Sequence, residues 1–175
     1  MFLPVVNRRG KLRSMDVIEA RLTDFLAVED IRRTKYRYLR AVDQKNWEEL
    51  ERVLTPDVVA DYGTPAMGRP LVLTGRDAIL KFMRDNLSGQ DIVTFHFAGQ
   101  PEIEVDGARA TGTWAFEDTV IVQSARLVIK GAAYYEEEYA CDPSAGWRIS
   151  RVKYVRTYEM THSLDDLPSL RLTTG

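Results

Sequence analysis

His96 and His162 are the only histidines in the 175-residue chain, and imidazole is the side chain best suited to accept a proton near neutral pH. His96 lies inside Ile92-Val93-Thr94-Phe95-His96-Phe97, a β-branched and aromatic run that reads as a strand. Alternation puts Thr94, His96 and Ala98 on one face and Phe95 and Phe97 on the other, so whatever covers the first face meets the ring. Taken alone, a strand histidine is more often a packed residue than a base. Its company decides. Asp43 ends a helical pattern, where a carboxylate opposes the helix dipole and calls for a compensating partner such as a histidine. Tyr38 lies five residues earlier, about 140° around an ideal helix, so both reach one pocket only if the helix end deviates or the pocket wraps around it. By itself Tyr38 reads as an amphipathic core residue. Asp118, between Phe116 and Val120 on an apolar alternation, cannot be buried without a partner; a backbone amide or Arg156 would serve. Arg156, flanked by Tyr154 and Tyr158, reads as a structural or anchoring cation. The acidic run Glu136-Glu137-Glu138 alternates faces with no histidine beside it, so it reads as a solvated strand edge and not a metal site.

A strand imidazole and an acid on an apolar, inward-looking face could exchange protons with a small organic ligand. The composition leaves room for that chemistry and removes others. A net charge of −2 with interspersed signs gives no basic stripe for nucleic acid or an anionic membrane. Cys141 is the only cysteine, so there is no disulfide framework and a reducing, cytoplasmic setting is expected. The opening apolar run is short and its charges follow it, unlike a signal peptide. No run approaches the roughly 18 apolar residues of a membrane span. Phosphate-binding glycine loops, HExxH and GxSxG are absent, and no cofactor or metal is expected.

The elements that must position these residues read as one α+β domain over residues 15–160, preceded by a loose arm (1–14) and followed by an extended tail (161–175). Val17 to Val42 is amphipathic helix with a break near Val28 to Asp30. Asn46 caps a short helix, Trp47 to Leu54, which Thr55-Pro56-Asp57 ends, and Val58 to Tyr62 is a strand. Residues 63–74 form a Pro/Gly-rich loop with a hairpin, and Thr74 caps a helix through Leu87. Four strand runs follow: Ile92 to Val105, Ala108 to Gln123, Leu127 to Tyr139 and Trp147 to Tyr158. Turns at Asp106-Gly107, Ser124-Ala125 and 142–146 make them an antiparallel meander, with helices packed on one face. Parity then poses a problem. A turn at Asp106-Gly107 puts Trp114, Phe116 and Asp118 on the face of Ile103 and Val105, yet an uninterrupted count back from Ile103 puts His96 on the other. One extra residue within Ala98-Gly99-Gln100-Pro101 resolves the conflict, so a bulge is expected there.

The helix segment Lys35-Tyr-Arg-Tyr-Leu-Arg-Ala-Val-Asp43, Trp47-Glu-Glu-Leu, Pro56-Asp57, the strand histidine, the Pro-Glu-Ile-Glu-Val-Asp-Gly turn, Ala110-Thr-Gly-Thr-Trp-Ala-Phe-Glu-Asp118 and Tyr154-Val-Arg-Thr-Tyr158 together resemble the SnoaL-like branch of the NTF2-like superfamily. The resemblance runs from about Ile18 to Glu159 and is greatest to the bile-acid 7α-dehydratases. It implies a cone: a strongly curved antiparallel sheet wrapped around the N-terminal helices, with a pocket inside. It also implies catalytic roles for Tyr38, Asp43, His96 and Asp118, and substrate binding by Arg156 with Trp114, Phe116 and Tyr135. The expected function is a cofactor-free dehydratase acting on a hydroxylated polycyclic or steroid-like ketone, free or as a coenzyme A conjugate. A ketosteroid-type isomerase and a non-catalytic binding or assembly module are the alternatives. The expected partners are a hydrophobic small molecule and copies of the chain itself, as a trimer or a dimer. Residues 63–74 and the tail depart from the family pattern.

Overall fold

The computed structural model describes residues 14–166, 169 and 171–173; the expected arm lies outside them except for Ser14. Helix α1 (Ser14–Asp43) is continuous. The break expected near Val28 does not occur, because the segment holds neither Gly nor Pro and Glu29–Arg32 and Asp30–Arg33 pairs bridge that turn. The helix buries a face only from Ile31 onward; Ile18, Leu22, Phe25 and Leu26 are exposed. Helix α2 (Trp47–Val53) starts as expected at Asn46, whose side chain accepts from the Glu49 amide at 3.1 Å.

Strand β1 (Leu54–Asp61) begins earlier than expected and takes in Thr55-Pro56-Asp57. Pro56 is tolerated because pairing to the neighbouring strand skips from Leu54 to Val59. A 3₁₀ turn (Pro65–Met67) leads to β2 (Val72–Thr74), so Thr74 ends a strand and Gly75, at φ 89°, takes the cap position of α3 (Arg76–Leu87). The meander is β3 (Ile92–Asp106), β4 (Arg109–Val122), β5 (Leu127–Asp142) and β6 (Gly146–Ser163). Its first turn centres on Gly107 and Ala108, with Val105 opposite Ala110. That slides the register while keeping the parity that places Trp114, Phe116 and Asp118 inward. Strand β6 outlasts its expected end, pairing His162 with Val128, and a 3₁₀ turn (Leu164–Asp166) then buries Leu164.

The six strands form one curved sheet in the order β2-β1-β6-β5-β4-β3. The sheet is mixed where a purely antiparallel one was expected, since β1 runs parallel to β6. The whole β2–β5 segment separates those two strands, long enough for a parallel crossover. The expected bulge is present. Gly99 pairs with Ala115 and Glu102 with Thr113, so Gln100 and Pro101 oppose one residue, and Gln100 adopts φ 50°. Upstream of it His96 stands directly opposite Asp118. Two more register shifts fall where β6 passes Ala132/Ala133 and Glu138/Tyr139, and such shifts bend a strand. Helix α1 lies against β3 and β6, and α3 against β1. Inside, Ile31, Leu50, Ile79, Trp114 and Ile149 are wholly buried, each contributing about 1.5–3 kcal/mol of transfer free energy. Among the described residues no helix is long and apolar enough to cross a membrane.

Candidate active site

Strand β3 is the last in the sheet, so alternate backbone N–H groups along its outer edge have no strand partner. The N–H of His96 is one of these, and it donates to Asp43 Oδ2 at 2.9 Å. The same carboxylate meets the ring: His96 Nδ1 lies 2.6 Å from Asp43 Oδ1, which also accepts from Thr94 Oγ1 at 2.9 Å. Lys45 donates to Thr94 Oγ1 at 2.8 Å. Lys45 holds the left-handed conformation just beyond the end of α1 (φ 56°), which turns its ammonium back toward the carboxylate. Burial lowers the Lys45 pKa and the Asp43 charge opposes that shift. A carboxylate at a helix C-terminus is thus offset by three donors and a nearby cation, the compensation that its sequence position called for.

With Nδ1 bound to a carboxylate, that nitrogen carries the ring hydrogen in neutral histidine and Nε2 is left with its lone pair. His96 lines a cavity of about 280 Å³ in the cone. Its ring stacks near Phe116 (6.1 Å between centroids, 8° between planes). The cavity is not filled by side chains, and the histidine ring reaches it. Its apolar wall includes Val42, Leu71, Phe82, Met83, Val120 and Ile129. Four phenols join them. Tyr38 and Tyr62 are bonded hydroxyl to hydroxyl at 2.8 Å, Tyr154 donates to the Tyr62 carbonyl at 3.1 Å, and Tyr135 packs 4.4 Å from Phe116. Burial raises the pKa of all four; Tyr154 is pushed up to about 12, and Tyr38 and Tyr135 go well above their ordinary value. They remain neutral donors over any working pH.

Asp118 and Arg156 form a two-pronged pair, Nη1–Oδ1 2.5 Å and Nη2–Oδ2 2.8 Å, with both side chains over nine-tenths buried. Arg156 Nε also lies 3.2 Å from Glu159 Oε2, without hydrogen-bond alignment. The guanidinium crosses Gly131, where a Cβ would sit 2.6 Å from Nη1. Glycine is required there for the pair to form.

The SnoaL-like domain family model matches residues 23–153. The chain belongs to the SnoaL-like family. Uncharacterised proteins of Mycobacterium bovis and Mycobacterium tuberculosis are each 30% identical to it over 115 residues, 65% of this chain and 74% of theirs. Among solved structures, a protein assigned as a scytalone dehydratase from Novosphingobium aromaticivorans matches with TM-score 0.69 at 19% identity, over 79% of this chain and 89% of that one. A hexachlorocyclohexane dehydrochlorinase from Novosphingobium barchaimii matches with TM-score 0.65 at 17% identity, over 81% and 92%. These structural likenesses establish the NTF2-like fold.

Of the residues singled out in the sequence, this SnoaL-like cone brings Tyr38, His96, Asp118, Phe116, Tyr135 and Arg156 to one cavity wall, with Asp43 directly behind His96. Asp43 does not line the cavity and acts on it only through His96, so Tyr38 and Asp43 stay on different sides of α1, as the 140° between them requires. Trp114 is not on that wall. It is fully buried in the core, donating from Nε1 to the Tyr139 hydroxyl at 3.0 Å, with Tyr36 edge-on to its ring at 6.1 Å. Glu137 also corrects the sequence reading: Glu136 and Glu138 are exposed, but Glu137 is buried and pairs with Lys35 at 2.6 Å, both side chains at 0% exposure. Sequence reasoning missed Lys35, Tyr62, Glu137 and Glu159. For two of them a signal existed. Lys35 falls on the apolar stripe Ile31, Tyr38, Leu39, Val42, and Glu137 on the inward alternation between Tyr135 and Tyr139. Among the described residues no group of three or more His, Cys, Asp or Glu side chains is placed to hold a metal ion.

Proposed function

We propose that the chain is a cytoplasmic, cofactor-free dehydratase, a carbon–oxygen lyase that eliminates water from a hydroxylated polycyclic or steroid-like ketone. The bile-acid 7α-dehydratases that the sequence resembles make a steroid the first substrate class to try. The observation that carries the proposal is the 2.6 Å contact of Asp43 with His96 Nδ1, which leaves the other ring nitrogen available at a largely apolar cavity. Nε2 takes a proton from the carbon beside the ketone, and the Asp43 carboxylate stabilises the imidazolium that results. Tyr38 and Tyr62 share one hydrogen bond between two hydroxyls, so one O–H of the pair is free to donate to the developing oxyanion. As the enolate collapses, the C–O bond breaks, a C=C bond forms, and hydroxide leaves with the proton returned by the imidazolium. The atoms balance as substrate to alkene plus water.

The resemblance implied a catalytic role for Asp118, but the scheme does not use it as the acid. Both of its oxygens accept from Arg156, so neither is turned to a leaving group. Its role in this scheme is to hold the guanidinium, whose remaining N–H groups bind the departing hydroxyl. The scytalone dehydratase and dehydrochlorinase neighbours support elimination as the reaction type. The proposal includes a homo-oligomer, a trimer first, because Phe95 and Phe97 are 65% and 61% exposed on the outward side of β3 and Tyr134 and Val155 are exposed alongside. Light scattering coupled to gel filtration tests it. Turnover is tested by incubating the protein with hydroxylated steroid and polycyclic ketones, free and as thioesters, and reading product mass. Loss of one water that falls roughly 10²- to 10⁴-fold in His96→Ala supports the assignment; an unchanged mass with a shifted double bond identifies an isomerase instead.

A further inference from the structure

We propose that Tyr135 is a second oxyanion donor in the cone and that Lys35 acts through it as a positioning residue. This rests on the elimination chemistry proposed for the same cavity. The first observation is a count of hydroxyl hydrogens. The Tyr38–Tyr62 pair spends one on itself and Tyr154 spends its own on the Tyr62 carbonyl. The Tyr135 hydroxyl makes no hydrogen bond to a described residue, although its side chain lines the cavity. Its hydrogen is left to a ligand, beside the one that the Tyr38–Tyr62 pair keeps free.

The second observation is what lies behind the ring. Lys35 Nζ sits 3.1 Å from the Tyr135 ring centroid and 4.9 Å from that of Tyr38. It is held there by Glu137 Oε1 at 2.6 Å, while Glu137 Oε2 accepts from the Tyr139 hydroxyl, which itself accepts from Trp114 Nε1 at 3.0 Å. The carboxylate is therefore tied on its far side by a chain of donors, and the ammonium is the end turned to the cone's phenols. A cation on the face of a phenol draws density from the ring and strengthens the O–H as a donor. Two fully buried charges are costly, and apolar replacements of such pairs are often neutral or stabilising, so stability alone does not account for this one. Negative charge growing on a ligand oxygen at Tyr135 meets a strengthened donor with a positive charge behind it.

Equilibrium binding tests this without turnover. The probes are substituted 2-naphthols spanning a range of acidity, with naphthalene as the uncharged reference; fluorescence reports affinity and absorbance reports whether the bound probe is ionised. The wild type should prefer naphtholates to naphthalene. Tyr135→Phe should reduce that preference on the order of 10²-fold, the scale of losing one oxyanion donor. The double variant Lys35→Met/Glu137→Gln, which strands no charge, should reduce it about tenfold, the effect of a unit charge acting across roughly 8 Å at an effective dielectric near 20 and partly cancelled by its counter-charge. In both, naphthalene affinity should hold. A double variant that keeps the wild-type preference, or that loses naphthalene and naphtholate affinity in parallel, overturns the role of Lys35. A wild type with no naphtholate preference, or a Tyr135→Phe variant that keeps it, overturns the donor assignment. Failure of the elimination proposal shows separately, as the absence of His96-dependent turnover.

Discussion

Replacing Asp43 with asparagine exchanges one carboxylate oxygen for an NH2 group and should change which ring nitrogen of His96 carries the hydrogen. The carboxylate accepts from His96 Nδ1, from the His96 backbone N–H and from Thr94 Oγ1, but an amide has one oxygen. If that oxygen stays on the Nδ1 side, the amide nitrogen faces the backbone N–H of His96 and leaves a part-buried donor unpaired, at a cost of about 1–3 kcal/mol. If it faces the backbone instead, the amide donates to Nδ1, the ring hydrogen moves to Nε2, and the nitrogen at the cavity is no longer a base. The second arrangement wins by up to about that same 1–3 kcal/mol, with the Thr94 hydroxyl turning to accept from the amide nitrogen. The fraction of enzyme in the productive tautomer that remains also lacks the charge-assisted bond to the imidazolium, about 1.5–3 kcal/mol. Together these amount to about 2.5–6 kcal/mol on the barrier, or roughly 10²- to 10⁴-fold in kcat. With only two histidines in the chain, nitrogen-15 NMR of labelled protein can read the tautomer directly, using a His162→Gln variant for assignment. The wild type should show hydrogen on Nδ1 of His96 and Asp43→Asn should show it on Nε2. Because dyad members act as a unit, Asp43→Asn/His96→Ala should lose much less than the product of the single losses. An Asp43→Asn variant that keeps hydrogen on Nδ1 and turns over within tenfold of wild type would refute the tautomer argument.

Arg156→Met should strand the buried Asp118 carboxylate and destabilise the fold by about 3–5 kcal/mol, read as a lower denaturant midpoint, and adding Asp118→Asn should recover most of it. Alkaline pH should act in two opposed stages. Burial lowers the Lys35 pKa to about 8, against the pull of Glu137, so between about 8 and its ordinary value of roughly 10.4 the unfolded chain binds more protons and stability rises with pH. Above roughly 10, unfolded tyrosines release protons that buried Tyr38, Tyr62, Tyr135 and Tyr139 retain, and stability falls. Denaturant titrations from pH 7 to 11 should show the rise in the wild type and not in Lys35→Met/Glu137→Gln. Gln100→Gly should raise stability by up to about 1 kcal/mol by relieving the φ of 50° at the bulge. Deleting Gln100 should cost far more, since it turns His96 to the opposite face from Asp118. Thermal melts separate the two cases.

The fold was legible where two periodicities met cleanly. Strands β3 to β6 alternate so strictly that their parity conflict located the bulge to within four residues, and a bulge is a counting fact that sequence can carry. The parallel placement of β1 was not legible, because strand direction follows from where the chain returns after a long crossover and β1 itself has no residue that encodes it. The dyad was legible through the family resemblance, with an electrostatic reason beside it: a carboxylate at a helix end asks for a partner, and a strand histidine could supply one. The rest of the site was hidden by a rule applied too locally. Three consecutive glutamates look solvated when read as a charge run, yet alternation sends the middle one inward between Tyr135 and Tyr139. Lys35 likewise disappears into a helix with many cations unless it is scored against the apolar stripe it interrupts. Each misplaced charge alone suggests an error in the stripe, but one of each sign, on elements that must pack together, specifies a buried pair. Desolvation makes such a pair improbable by chance. Here that pair lies immediately behind the phenols that face the cavity.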